Sequence, residues 1–252
     1  MAMTMASTQL PRIGVLGGMG PLASAEFMVK LVRATPAQRD QDHFPTTLDS
    51  SPHIPDRPNF IDGHGADPLP VMIEVIRRLE AAGCALITMP CNTVHHWHAQ
   101  LSEQTPLPIV HIADAVAVQL RATVPPARRV GILGAQITCK LGIFSERLGP
   151  EWEWVYPSEQ ALRDFVMPAV AAVKGGDLDK GRELFLAATQ ALLSQDLDAV
   201  VFACTEIPVV LGQADVPIPI IDSTDALARH TVAVAQGIHA IPLPSQDLGV
   251  LP

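Results

Sequence analysis

Cys91 and Cys204 each close a short apolar run: Ala85 to Trp97 reads ALITMPCNTVHHW, and Ala199 to Ile207 reads AVVFACTEI. Each run has the composition of a buried strand that delivers its cysteine at the carboxyl end. Asn92 or Thr93 in the first copy, and Thr205 in the second, are then set to cap a following helix. Open α/β sheets bind ligands at such strand ends, and a helix N-terminus attracts anions and lowers a thiol's pKa. A pair of such cysteines on opposite walls of a cleft could move a proton from one face of a carbon to the other. One sulfur would remove it as a thiolate while the other delivers one as a thiol. Asp56, His95 and Glu206 are the groups placed in sequence to tune those thiols.

The elements that must position the two cysteines are themselves duplicated. RIGVLGG from Arg12 returns as RVGILGA from Arg129, and PIVHIADAVA from Pro108 returns as PIIDSTDALA from Pro219. Three matching segments in the same order, at nearly constant offset, mark a repeated α/β unit. The expected fold class is α/β, with two similar doubly wound domains related by a pseudo-twofold and the site in the cleft between them. The boundaries read as 12–111 plus 222–240 for the first domain and 112–221 for the second, with flexible tails at 1–11 and 241–252. Each domain is expected to have its own core. Cys91 and Cys204 would then bracket one carbon from roughly 6 to 9 Å apart, beyond disulfide reach.

Composition narrows the partners. The chain has 252 residues, 48% of them hydrophobic, and a formal charge of −9 with no basic cluster, which argues against nucleic acid or an anionic membrane surface as a partner. The start, MAMTMASTQL, lacks the basic and apolar regions of a signal peptide, and no apolar run is long enough to span a bilayer. The expectation is a cytoplasmic protein with reduced cysteines. Cys84, in AAGCALI, reads as a small buried hydrophobe, and Cys139 is ambiguous.

Other residues carry weaker signals. Gly18, Gly20 and Ala23 satisfy the dinucleotide pattern G-x-G-x-x-A, but no acidic residue ends a second strand about 20 residues later, so a tight strand-to-helix turn is the better reading. Residues 50–68 hold prolines and glycines too dense for a helix or a central strand. Arg57, stiffened there between Pro55 and Pro58, suits bidentate carboxylate recognition, unless it is a surface arginine pairing with Asp56 or Asp62. His95, His96 and His98 allow metal-ligand spacing, but with no further ligand motif they read as solvated or capping residues, so no metal is expected. Lys174 stands beside two glycines where a helix ends, a position that by itself favours a lysine.

Taken together, GGMGPLASAE, TPAQRDQDH, IPDR, MPCNTVH, AVKGGDLDKGRELF and ACTEIPVVL resemble the aspartate/glutamate racemase family, above all its aspartate racemase branch. The resemblance covers nearly the whole chain. It implies that Cys91 and Cys204 are the catalytic pair and that no cofactor is used. It also implies that Arg57 and Lys174 hold the side-chain carboxylate of a small acidic amino acid. Met19, Asn92, Thr93, Thr138 and Thr205 are implied as further substrate contacts, and a homodimer as the assembly. One departure stands out: where many relatives carry T-x-G-T after the second unit's first strand, this chain reads Ala135, Gln136, Ile137, Thr138. Three other classes compete with this reading. A single-thiol isomerase or decarboxylase of the same superfamily would not need both cysteines, and a non-catalytic amino-acid-binding protein would need neither. A dithiol redox enzyme would need the sulfurs within bonding distance.

Overall fold

Short runs rich in valine, isoleucine and leucine, each followed by glycine or a polar turn, become eight parallel strands in two sheets. In the computed structural model, which describes residues 10–239 apart from Val124, the first half supplies β1 (Ile13–Gly17), β2 (Thr46–Ser50), β3 (Leu86–Thr88) and β4 (Ile109–Val110). The second half supplies β5 (Arg129–Gly134), β6 (Glu153–Val155), β7 (Ala199–Ala203) and β8 (Ile220–Asp222). The sheet orders are β2-β1-β3-β4 and β6-β5-β7-β8, so the sequence repeat is also a repeat of topology. The chain moves outward from β1 to β2 and then crosses back to β3. The gap between the carboxyl ends of β1 and β3 is therefore a topological switch point, as is the gap between β5 and β7.

The core departs from one cluster per unit. The central strands β1, β3, β5 and β7 are buried on both faces, and their side chains alternate between two clusters. Leu16, Ile87 and Met89 face an outer cluster under the helix Leu69–Ala81, while Leu133, Phe202 and Cys204 face another under the helix Leu178–Leu193. Ile13, Val15, Val130, Ile132 and Val201 turn the other way into one large cluster common to both sheets. The helices Ile112–Arg121 and Ser223–Ala235 pack on each other within that shared layer, and the second of them also packs on the helix Pro21–Ala34 of the first half. A doubly wound sheet has two apolar faces, and here the inner faces of both sheets are covered by the same helices. Lys30 reinforces the join, its Nζ 2.5 Å from Asp222 Oδ2.

Several local readings change. The segment 50–68 contains a helix, Arg57–Ile61, because Asp56 caps it through Asn59 N–H and Pro58 lies in the first turn, where a missing N–H costs nothing. Pro168 does not interrupt its helix. A wider turn at Leu162–Val166 takes up the missing hydrogen bond, and Met167–Lys174 continues the run. After Cys91 there is a tight 3₁₀ turn, Thr93–Trp97, and after Cys204 a four-residue helix, Ile207–Val210, with no capping bond from Asn92 or Thr205. Such short elements carry little macrodipole, so helix ends contribute little at the thiols, and Cys204 meets the Glu206 side chain instead. Residues 1–9 and 241–252 of the expected tails lie outside the described residues, as does the last residue of the first domain's second segment, Ala240.

Candidate active site

The two switch points supply the lining of one cavity. From the first unit come Met19 after β1, Asp56, Arg57 and Pro58 from the loop and helix after β2, and Cys91, Asn92 and Thr93 after β3. From the second come Ala135 and Thr138 after β5, Val170 and Lys174, and Cys204, Thr205 and Glu206 after β7. The cavity measures about 50 Å³ and opens toward a wider outer volume of about 580 Å³ that shares Met19, Asp56, Arg57, Lys174 and Glu206 with it. Both thiols are buried and unpaired.

The glycines of the first turn serve that geometry. Gly18 has φ +92°, and a Cβ on it would come within 2.4 Å of Ser51 backbone atoms. Its N–H donates to Ser24 Oγ at 2.9 Å, so the turn is closed internally and packs Met19 toward the cavity.

Arg57 corrects the reading of a surface residue. It is only 9% exposed, and its Nη1 donates to the carbonyl oxygens of Ile54 and Pro55 at 3.1 and 3.0 Å. Its Nε has no hydrogen-bond partner among the described residues. Asp56 is occupied as a helix cap, and Asp62 pairs instead with Lys140 of the second unit at 3.1 Å. A buried guanidinium with unused donors facing a cavity is a receptor for an anion. Lys174 ends its helix as the sequence suggested, yet its half-exposed side chain reaches the cavity, with Nζ 4.0 Å from Glu206 Oε1.

Polar contacts knit the walls together. Thr93 Oγ1 and Thr138 Oγ1 lie 2.8 Å apart, a bond between the two units. Asn92 Nδ2 donates to Ser223 Oγ at 3.1 Å, leaving its buried Oδ1 without a partner among the described residues. Cys204 Sγ donates to Glu206 Oε2 at 3.0 Å, and Thr205 Oγ1 donates to the same oxygen at 3.2 Å. Burial, followed by the charge of Glu206 and its hydrogen bond, holds the Cys204 thiol well above its usual range. Cys204 therefore rests as a thiol.

The other cysteines and the histidines lie elsewhere. Burial pushes Cys84 up, and Cys139 is pushed up to about 12 for the same reason, with its Sγ turned to Gly134 O. Neither lines the cavity. His95 and His98 are buried rather than solvated: their Nε2 atoms bond the carbonyls of Met89 and Ile109, and both rings pack on His111 at centroid distances of 4.6 and 4.7 Å. His95 thus lies behind the Cys91 loop and not on the cavity wall. Only His96 of the three is exposed, and no three metal-ligating side chains among the described residues are placed to hold an ion.

Ser223 is a support that went unforeseen, since its counterpart in the first repeat is the apolar Ile112. The capping pair His111 and Asp222 was within reach. These residues match in the repeat, and each accepts a hydrogen bond from the N–H two residues on.

The sequence model of Asp/Glu/hydantoin racemases matches residues 16–231. The chain belongs to that family. Its racemase relatives include the broad specificity amino-acid racemase RacX of Bacillus subtilis, 27% identical over 88% of this chain and 96% of that protein. Among solved racemase structures, the aspartate racemase of Picrophilus torridus is 30% identical and superposes with a TM-score of 0.79, covering 90% of this chain and 94% of that one. The Pyrococcus horikoshii aspartate racemase homologue, 23% identical with a TM-score of 0.70 over 89% of this chain and 99% of its own, shares the fold. Membership of this family supports a racemase, and so an isomerase, activity. No helix among the described residues is long and apolar enough to cross a membrane.

Proposed function

We propose that this protein interconverts the enantiomers of a small acidic amino acid, aspartate first and glutamate second, with Cys91 and Cys204 as the two acid-base groups and without a cofactor. The observation that carries the reading is that both thiols line the same small cavity as Arg57 and Lys174.

In this reading the hydroxyls of Thr93, Thr138 and Thr205 receive the α-carboxylate, and Asn92 Oδ1 accepts from the ammonium. Arg57 and Lys174 take the distal carboxylate, with Met19 closing the apolar side. Cα is then presented between the sulfurs. The Cys91 thiolate removes the Cα proton, leaving the electron pair on carbon, and Cys204 delivers its thiol proton to the opposite face as its S–H bond breaks. The products are the other enantiomer, a Cys91 thiol and a Cys204 thiolate. In the reverse direction the roles exchange. Acid-base groups of this kind each contribute about 10²–10⁴-fold. The carbanionic transition state is favoured by donors fixed in a cavity from which bulk water is largely excluded.

Substrate choice follows from charge. A neutral side chain would leave the Arg57 fork without an anion in a partly desolvated site, where Lys174 has only the 4.0 Å approach of Glu206, and that is costly. A cytoplasmic homodimer completes the reading, with Leu22, Val29 and Val32 forming an exposed apolar strip along one face of the helix Pro21–Ala34.

The test is a panel of L- and D-amino acids incubated in heavy water without pyridoxal phosphate, following loss of the Cα proton and appearance of the other enantiomer. Aspartate should exchange and racemise fastest. Exchange confined to neutral amino acids, or none with any of them, refutes the proposal.

A further inference from the structure

Glu206 stands beside a thiol that racemisation requires to be an acid in one direction and a base in the other. Its carboxylate is buried, with a side chain only 9% exposed. Oε2 accepts from Cys204 Sγ at 3.0 Å and from Thr205 Oγ1 at 3.2 Å, and Lys174 Nζ approaches Oε1 to 4.0 Å. When Cys204 gives up its proton to carbon, the electron pair of the broken S–H bond stays on sulfur, and a thiolate then sits against a buried carboxylate. Two anions in contact in such a site are mutually destabilised, so an ionised Glu206 drives Cys204 to take a proton back. Lys174 offsets that push only while its ammonium stays near Oε1.

We propose that Glu206 is a positioning residue that keeps Cys204 protonated in the substrate-free cleft, with Lys174 as its counter-ion until the distal carboxylate of an acidic substrate draws that ammonium away. This rests on the racemase reading for its meaning, but its physical content concerns Cys204 alone. Drawing Lys174 off Glu206 strengthens the hold of the carboxylate on the thiol proton. The enantiomer whose Cα–H faces Cys91 therefore meets Cys91 as the base and Cys204 as the acid, whereas the opposite enantiomer reacts only after Cys204 has lost its proton. The same ammonium that selects the side chain also sets which sulfur carries the proton.

The charged and titratable groups around this carboxylate come from four parts of the chain. They are Lys174 from the helix Met167–Lys174, Cys204 from the end of β7, and Asp56 and Arg57 across the cavity, with Cys91 lining the same space. Thr205 is neutral and moves with Glu206. Neutralising Glu206 and neutralising Lys174 must act on Cys204 in opposite directions, an outcome that loosened packing would not produce.

The experiment measures the rate of iodoacetamide alkylation of Cys204 against pH in the full-length protein, with the adduct located by peptide mass spectrometry. In Glu206→Gln the alkylation midpoint should fall by about one pH unit or more. Glu206→Asp, which keeps the charge, should leave it near the parent value. Lys174→Met should raise it. An unchanged midpoint in Glu206→Gln, or a fall in Lys174→Met, overturns the proposal. Should Glu206→Gln fail to fold, Glu206→Ser is read in the same assay, with the same fall expected and an unchanged midpoint overturning the proposal. Because alkylation needs no turnover, a protein that racemises nothing yet shows these opposed shifts would refute the proposed function and leave this inference standing.

Discussion

Thr93 Oγ1 and Thr138 Oγ1 lie 2.8 Å apart, so a hydroxyl from each unit meets its counterpart across the cavity. Both are buried, and one donates to the other. A carboxylate entering between them would accept from both and exchange one neutral hydrogen bond for two charge-assisted ones. Thr138→Val should therefore raise KM for aspartate about 10- to 100-fold, the loss expected for one hydrogen bond to a charged group, with a smaller change in kcat. Thr138→Ser should remain near the parent. Steady-state kinetics of the two variants checks this.

Cys91 and Cys204 line one cavity from opposite halves of the repeat, and each is expected to serve one face of Cα. Either Cys→Ala change should lower racemisation by about 10³-fold or more, while exchange of the Cα proton with solvent survives in one variant for one enantiomer. Proton magnetic resonance in heavy water, run in parallel with chiral chromatography, separates exchange from inversion. Full racemisation by either variant would end the two-base mechanism.

Arg57 joins two tasks: it bonds the carbonyls of Ile54 and Pro55, and it lines the cavity with a buried Nε that has no partner among the described residues. Arg57→Ala should cut kcat/KM for aspartate about 100-fold or more, with far less effect on any residual turnover of alanine, since only the acid makes a charge-assisted contact there. Arg57→Lys keeps the charge and loses the fork, so it should restore activity only in part. A proportionate loss for acidic and neutral substrates would mean that the loop, not the anion contact, had been damaged.

His95, His98 and His111 form a buried group whose pKa values are all lowered from 6.5, with burial the largest cause. Groups with depressed folded-state values contribute stability that is present above the unfolded pKa and is lost as pH falls toward the folded one. Denaturant midpoints should therefore fall as pH drops below about 6.5, each histidine adding up to about 1.4 kcal/mol per pH unit to the slope. His111→Asn, whose side chain can still cap the helix Ile112–Arg121, should make that slope shallower. A flat stability profile across this range would show that the cluster admits protons without unfolding.

Much of this architecture could be read from residues alone. The repeat around Arg12 and Arg129 foretold two sheets of one topology, because a duplicated pattern of apolar runs and turns can only rebuild the same local unit. The strand-ending cysteines pointed to the cavity because strand ends at a switch point are where a parallel sheet opens. Arg57 could be singled out by its prolines, but not its burial, since that depends on how residues distant in sequence pack over it. The same holds for the shared core: alternation shows that a strand has two apolar faces, and only packing decides that one pair of helices covers both sheets.

The sequence by itself determined the elements, their duplication and the set of chemically able side chains, since these follow from periodicity and residue type. The tertiary structure alone decided which of those side chains share a cavity. It sent Asn92 to Ser223, His95 to Met89 and His111, and Glu206 to Cys204 and Lys174. Such partners are chosen by hydrogen-bond distances of about 3 Å, and one residue of register or one turn of helix is enough to change them.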